Sequence, residues 1–404
     1  DLHSFPTRRS SDLMAFYSAG WKGIEERRSS WMLSGQVSFL EPIGSNIARM
    51  AKHYEEIVTF SQEINPLHST KPPGTILFYM VFGEGVRQIS GILPESSIEQ
   101  RIIHVGSFLF PLISVLAAIP LILLCRNLGN TEVGLAASMI LICAPYFVLT
   151  FAHADKFLYP FIGLSAIYLA TLSIRMKSIL MAVLAGIMTQ ITLFFSFSLI
   201  PVAILVFFVL CTGCSSFCKG MPARKGLNVN SMKHLLFGLI GFTVCYILFR
   251  VILGYNALSH FITAIGRHSQ WKYECLDFSW NPGNVILFAG RNFAEYGFSI
   301  GLGLLLLSAA GCMKAGRDLL RKKSSSIAVF SIMVAFLLLV TGFIGRTAGE
   351  VSRLWIFFTP LLCVPAGYLI TGSVSGKQLS LRVTIVVLFQ LFTTAFIKHF
   401  QDFF

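Results

Sequence analysis

The chain has 404 residues, of which 54% are hydrophobic and only 13% charged, and its formal net charge is +13. Together with a positive mean hydropathy, this is the composition of a polytopic membrane protein rather than of a water-soluble domain or a disordered chain. The basic residues gather in short loops between apolar runs, where they record membrane orientation, so no nucleic-acid partner is expected.

Residues His3 to Leu13 read HSFPTRRSSDL, which resembles the in-frame translation of a sequencing-adapter oligonucleotide. Residues 1–13 are therefore set aside from fold reasoning. The expectation that follows is a natural chain that begins earlier, with a further transmembrane helix ahead of Met14. Residues 14–101 are expected to form an extracytoplasmic loop with interfacial helices. The loop carries Glu41, Glu55, Glu56 and Glu63, and its polar part closes on His68-Ser69-Thr70-Lys71-Pro72-Pro73-Gly74. Two prolines in a row fix φ and push the residue before each away from helix, so this motif makes an extended entry into the apolar segment that follows. It would aim His68 and Lys71 in a defined direction, or serve only as a stiff joint. Residues 75–90 contain Gly83, Glu84 and Gly85, and their apolar run is far below the ~20 residues of a crossing. They are expected to lie at the interface or to re-enter the membrane.

Residues 102–404 form a multi-span domain. Runs near the length needed to cross about 30 Å of hydrocarbon fall at 102–124, 132–152, 157–174, 179–194, 197–212, 234–254, 296–313, 326–344, 354–372 and 383–397. The predicted fold class is all-α, with about 10 transmembrane helices. The stretch 179–212 is either one long helix or two, broken near Ser196, Ser198 and Pro201, and charge decides for two. With two, the loops at 125–131, 175–178, 213–233, 313–325 and 373–382 share one side and hold 14 Lys and Arg, against 7 in the opposing segments after residue 101. The first set is then cytoplasmic. The HSTKPPG motif, the Asp155-Lys156 turn, residues 255–295 and the turn from Gly345 to Arg353 all face the other way.

Those four segments hold most of the polar chemistry near membrane depth. The turn His153-Ala154-Asp155-Lys156 sets one carboxylate between two spans, where such groups are costly unless paired or hydrated; a solvated turn residue is the equal alternative. In Gly345-Arg346-Thr347-Ala348-Gly349-Glu350-Val351-Ser352-Arg353-Leu354-Trp355, a helical conformation would set Arg346, Glu350 and Arg353 on one face. A carboxylate between two guanidinium groups can hold both forks toward a phosphate; an ion-pair network tying two helices together is the competing reading. Trp355 is expected at the membrane interface. Arg267, His268, Lys272 and Arg291 add positive charge on the same face.

The nine cysteines lie mainly in or beside apolar segments, with no disulfide framework. Cys211, Cys214 and Cys218 form a C-x2-C-x3-C run without a nearby His, read as thiols at the end of a span rather than as a metal site. The sequence has no P-loop, dinucleotide fingerprint, H-E-x-x-H or G-x-S-x-G, so nucleotide-driven transport and zinc or serine hydrolysis find no support. Nor do two matching broken segments mark a repeat-built transporter.

An acidic first loop ending in a His/Lys-Pro-Pro motif, a short apolar segment, a basic turn and then an external Asp turn resemble the membrane-embedded C-type glycosyltransferases. Protein O-mannosyltransferases and lipid A aminoarabinose transferases are of this kind. The stretch Gly349-Glu350-Val351-x-Arg353-Leu354-Trp355 is similar to a later motif of bacterial relatives. The layout covers most of residues 30–372 but rests on two or three short motifs. The resemblance implies a multi-pass protein of the cell membrane, active on its extracytoplasmic face. It would transfer a sugar, with inversion, from a polyprenyl-phosphate lipid donor to a glycan, lipid or protein acceptor. It also implies an acidic general base in the first loop and cations at the departing lipid phosphate. The family's aspartate, about thirty residues before the Pro-Pro pair, is absent. Glu41, 31 positions before Pro72, takes its place as candidate base, with Glu55, Glu56 and Glu63 behind it and Asp155 as a second acid. His68, Lys71 and Lys156 would line the site, and Arg346 and Arg353, oriented by Glu350, would hold the phosphate. Some relatives use a divalent metal, Mg or Mn, and others none. The alternatives are a transporter or flippase of lipid-linked sugars, which needs the arginines but no base, and a membrane scaffold.

Overall fold

The computed structural model describes residues 47–54, 70–89, 98–150, 156–212, 229–276, 281–323, 325–344, 351–372 and 376–400. Among them every regular element is helical, the conformation that satisfies its own backbone in hydrocarbon. The first loop contributes α1 (Ile47–Lys52) and α2 (Gly74–Ile89). The 16-residue α2 begins directly after Pro72-Pro73 and is not among the span-length helices.

The next elements are α3 (Ile98–Val115), α4 (Ala118–Asn127), α5 (Thr131–Ile142), α6 (Pro145–Thr150), α7 (Tyr159–Met176), α8 (Ile179–Phe195) and α9 (Ile200–Thr212). The run expected as one span over 132–152 is split into α5 and α6 at Cys143-Ala144, because Pro145 has no N–H and its ring cannot follow a preceding turn. The stretch 179–212 is two helices, as the charge count requires. Ser196 ends α8, and its hydroxyl accepts from the Ser198 N–H at 3.3 Å. Side-chain caps mark other starts: Asn130 accepts from the Val133 N–H at 3.1 Å and Ser178 from the Met181 N–H at 3.4 Å.

The second half comprises α10 (Val229–Leu253), α11 (Ala257–Leu276), α12 (Pro282–Ile300), α13 (Leu302–Leu320), α14 (Ser326–Phe343), α15 (Val351–Leu354), α16 (Phe358–Ile370) and α17 (Gly376–Phe400). A straight span over 296–313 is not formed. The axis turns by 112° between α12 and α13, and Gly301, at φ +87, is the hinge residue that a side chain would strain. A Cβ there would also lie 2.5 Å from Gln390 Oε1 and 2.9 Å from Pro145 Cγ.

Among the described residues, five helices are long and apolar enough to cross a membrane: Leu109–Asn127, Tyr159–Met176, Met232–Leu253, Ser326–Phe343 and Gly376–Ile397. The bent pair passes the same test as a unit, and four shorter apolar helices accompany them. Small residues allow close backbone approach, as is usual where lipid supplies no hydrophobic drive between helices. Gly186 of α8 faces Gly238 of α10, Gly241 of α10 lies against Val183 of α8, and Gly311 of α13 sits against the Pro365 carbonyl of α16.

Two pairs of loops that the charge count assigns to one side meet in space. Arg175 donates to the Arg126 carbonyl at 3.2 Å and to Asn127 Oδ1 at 3.0 Å, joining the ends of α4 and α7. Lys314 donates to the Tyr368 carbonyl at 3.0 Å, Arg382 to the Ile370 carbonyl at 3.3 Å, and the Tyr368 hydroxyl to Asp318 Oδ2 at 2.7 Å. Cations thus meet the carbonyl ends of α4 and α16, where the helix dipole favours them.

Candidate functional site

The Lys71-Pro72-Pro73-Gly74 joint is fixed from both sides. Pro72, Pro73 and Gly74 are buried, and the Leu77 N–H donates to the Pro73 carbonyl at 2.9 Å, so the motif opens the first turn of α2. Gly74 lies against the end of α8, where a Cβ would come within 2.5 Å of the Phe194 carbonyl oxygen. The last carbonyls of a helix lack intrahelical partners; the Thr75 hydroxyl donates to one of them, that of Phe195, at 3.1 Å. On the other side, the Lys71 carbonyl accepts from the Tyr54 hydroxyl at 2.5 Å and from His260 Nε2 at 3.0 Å. The rings of Tyr54, Tyr255 and His260 pack together at 5.7–6.1 Å between centroids. The motif therefore joins the loop segment before it, the break after α8 and the start of α11.

His260 is 6% exposed. Burial lowers its pKa below the ordinary 6.5; Arg267 works in the same direction, and the hydrogen bond to Lys71 works against both. The folded protein thus binds a proton at this ring less readily than the unfolded chain does, and the resulting stability is full above pH 6.5 and lost as the pH falls toward the folded pKa. The melting temperature is expected to decline on acidification through this range more steeply in the wild type than in His260→Gln; parallel curves would contradict it.

The turn that follows Asp155 is tied to the same region by aromatic packing. Phe157 stacks on Phe110 at 4.1 Å and 10°, and Phe78 of α2 lies 5.6 Å from Phe157. Lys156 is 5% exposed, with its ammonium 4.9 Å from the centroid of the Tyr159 ring. The first two polar segments expected to face outward are thus brought together by one buried cluster that includes Tyr54, Tyr79, Phe110, Phe157, Phe194 and Tyr255. Of the third segment, Tyr255 and Ala257 join this cluster and the His260 ring packs on it. Arg291 stays exposed, its guanidinium 5.5 Å from the Phe288 ring.

Of the fourth segment, Val351–Leu354 is helical. Arg346 and Glu350 lie outside the described residues, as does the Arg353 side chain, so the shared face expected for these three lies outside them too. Trp355 corrects the sequence reading. It is 1% exposed, with Tyr296, Phe293 and Phe358 at 5.3, 6.0 and 6.1 Å between ring centroids. It fills the protein interior instead of facing headgroups, because α12 and α16 offer it an aromatic socket. Glu41, Glu55, Glu56, His68 and Asp155 also lie outside the described residues, so among the named site residues only Lys71 and Lys156 have described side chains. No group of three or more His, Cys, Asp or Glu suited to a metal occurs among the described residues. Sequence reasoning missed Tyr54, Thr75 and His260.

No family model matches the chain, and no curated protein matches it. Among the solved structures that resemble it in part are two of oligosaccharyltransferases. The oligosaccharyltransferase of Archaeoglobus fulgidus in complex with Zn and sulfate is 14% identical, with a TM-score of 0.44 over 82% of this chain and 44% of that one. The archaeal oligosaccharyltransferase AglB from Archaeoglobus fulgidus, in complex with an inhibitory peptide and a dolichol-phosphate, is 13% identical, with a TM-score of 0.46 over 81% of this chain and 47% of that one. The chain spans less than half the length of either. Both are oligosaccharyltransferases. A likeness of this degree by itself assigns neither activity nor substrate.

Proposed function

We propose that the protein is a membrane glycosyltransferase that moves a sugar from a polyprenyl-phosphate carrier to an acceptor on the extracytoplasmic face, with inversion at the anomeric carbon. The observation that carries this reading is the fixed Lys71-Pro72-Pro73-Gly74 joint, wedged against the carbonyl end of α8 and clamped from α11. It anchors the motif of the glycosyltransferase resemblance beside the end of α8, next to the cluster that also holds Phe157, the neighbour of Lys156. In this proposal the five span-length helices, the bent pair and the four shorter apolar helices make about ten crossings.

Glu41 would remove the proton from the acceptor hydroxyl, with Glu55, Glu56 and Asp155 as the remaining acids. The acceptor oxygen would attack the anomeric carbon as its bond to the phosphate oxygen breaks, and the electron pair would leave with the lipid phosphate. Arg346 and Arg353, held by Glu350, would stabilise that phosphate, with His68, Lys71 and Lys156 lining the site. Divalent Mg or Mn would supply further charge neutralisation at the phosphate. The carboxylates that could hold it, Glu41 and Asp155, lie outside the described residues, and no step is assigned to it.

The test is transfer of radiolabel from a panel of polyprenyl-phosphate sugars to membrane extract by the full-length protein in lipid. Label reaching an acceptor supports the transferase; label that crosses the bilayer without reaching one supports a carrier-lipid transporter and overturns the proposal. Arg353→Ala is expected to weaken binding of the lipid phosphate roughly 10- to 100-fold, the cost of one charge-assisted hydrogen-bond partner. Titration with the unglycosylated carrier phosphate reads this without turnover.

A further inference from the structure

The Lys71–Pro72 peptide has an unusual holding problem. Neither Pro72 nor Pro73 carries an N–H, so the turn cannot be secured through its own donors, and the Lys71 carbonyl is the one polar backbone atom of that peptide. A carbonyl oxygen has two lone pairs, and here two side chains take them: the hydroxyl of Tyr54, 17 positions before, at 2.5 Å, and Nε2 of His260, 189 positions after, at 3.0 Å. Both donors are buried, at 1% and 6% exposure. Each is held in turn by ring packing: Tyr54 and Tyr255 lie 5.7 Å from the His260 ring, and Phe197 lies 5.9 Å from it. A surface turn needs no such arrangement, since water satisfies its carbonyls.

We propose that His260 is a positioning residue of the transferase site: with Tyr54 it grips the Lys71 carbonyl and so sets where the Lys71 side chain stands. This rests on the reading that Lys71 lines the site. His260 then acts through Lys71 and does not touch the sugar or the carrier. The pairing also makes α11 part of the site's frame, since His260 sits at the start of that helix, one turn after Asn256.

The test uses the full chain in lipid nanodiscs with His260→Phe, which keeps a buried ring but no donor; His260→Gln, which restores a donor near the Nε2 position; Tyr54→Phe; and the double variant Tyr54→Phe/His260→Phe. Two readouts are taken: the rate of Lys71 acetylation by a water-soluble reagent, followed by mass spectrometry, and kcat and KM for transfer. His260→Phe is expected to change the Lys71 acetylation rate several-fold and to lower kcat about tenfold with little change in KM, within what misplacing a positioned group costs. His260→Gln is expected to return both toward wild type. Because both donors hold one atom, the double variant is expected to lose more than the product of the single losses. Unchanged Lys71 acetylation in all four variants, with any loss of transfer following the melting temperature, would overturn the proposal. If the wild type transfers no sugar, the proposed function fails, and the acetylation rates alone decide whether His260 positions Lys71. Should His260→Phe not fold, Tyr54→Phe removes one hydroxyl from the same acceptor and carries the same comparison.

Discussion

Gly186→Val is expected to yield no stably folded protein, measured as loss of the monodisperse detergent-solubilised species and of its melting transition. A Cβ on Gly186 would lie 1.9 Å from the Gly238 carbonyl oxygen and 2.8 Å from the Phe242 nitrogen. These are backbone atoms of the neighbouring helix, so no rotamer change relieves the overlap, and α8 and α10 must part along their length. On the other face of the contact, a Cβ on Gly241 would lie 2.2 Å from the Val183 carbonyl oxygen. Overpacking a well-filled site commonly costs about 1–3 kcal/mol; a backbone-to-backbone overlap belongs at or above the upper end, and native proteins hold only about 5–15 kcal/mol in total. Gly85→Ala is the control. A Cβ there meets nothing within 4 Å, and in a helix interior alanine is favoured over glycine by about 0.5–1 kcal/mol. Equal melting losses for the two variants would remove close packing as the explanation.

Glu41→Gln is expected to lower the transfer rate by about 10²–10⁴, the usual contribution of a positioned general base, and to leave carrier-lipid binding unchanged. Glutamine keeps the size and the hydrogen-bonding reach of the carboxylate but cannot take up the acceptor's proton, so the loss falls on kcat. Single-turnover transfer together with equilibrium binding of the carrier phosphate separates the two effects. Full activity in Glu41→Gln would remove Glu41 as the base, and Glu55→Gln, Glu56→Gln and Asp155→Asn would then locate it. Loss of lipid binding along with turnover would place Glu41 in the carrier site instead.

The parts of the fold legible in the sequence are those set by local chemistry. Pro72-Pro73 followed by a short apolar run indicates a helix start, and α2 begins there. Ser196 and Ser198 mark the interruption between α8 and α9, since their hydroxyls offer the backbone an alternative to the next helical turn. The elbow at Gly301 was not legible. Ile300 and Leu302 flank it with uninterrupted hydropathy, and a transfer-scale window records apolarity but not a positive φ. The donors of the Lys71 clamp were hidden for a different reason: Tyr54 and His260 follow no helical or strand period relative to the motif, and only the tertiary fold closes a gap of 189 positions. Trp355 was misread because the rule that places tryptophan at the interface presumes an exposed ring. The partners that bury it, Phe293 and Tyr296, lie about sixty positions earlier.

The elbow also bears on how the described part of the molecule would sit in lipid. With α13 upright in the bilayer, a turn of 112° lays α12 almost flat, and its 19 residues extend about 28 Å at the helical rise of 1.5 Å per residue. Ile286, Leu287 and Phe298 point away from the protein on this strut and would sink among the acyl chains of one leaflet alone. A helix lying in the interface spreads the lipids of its own monolayer and leaves the opposite monolayer untouched, which is why such helices sense curvature and lipid packing. The protein would accordingly be a wedge rather than a cylinder. Its partition between small, highly curved vesicles and large flat ones would report whether the strut lies in the membrane.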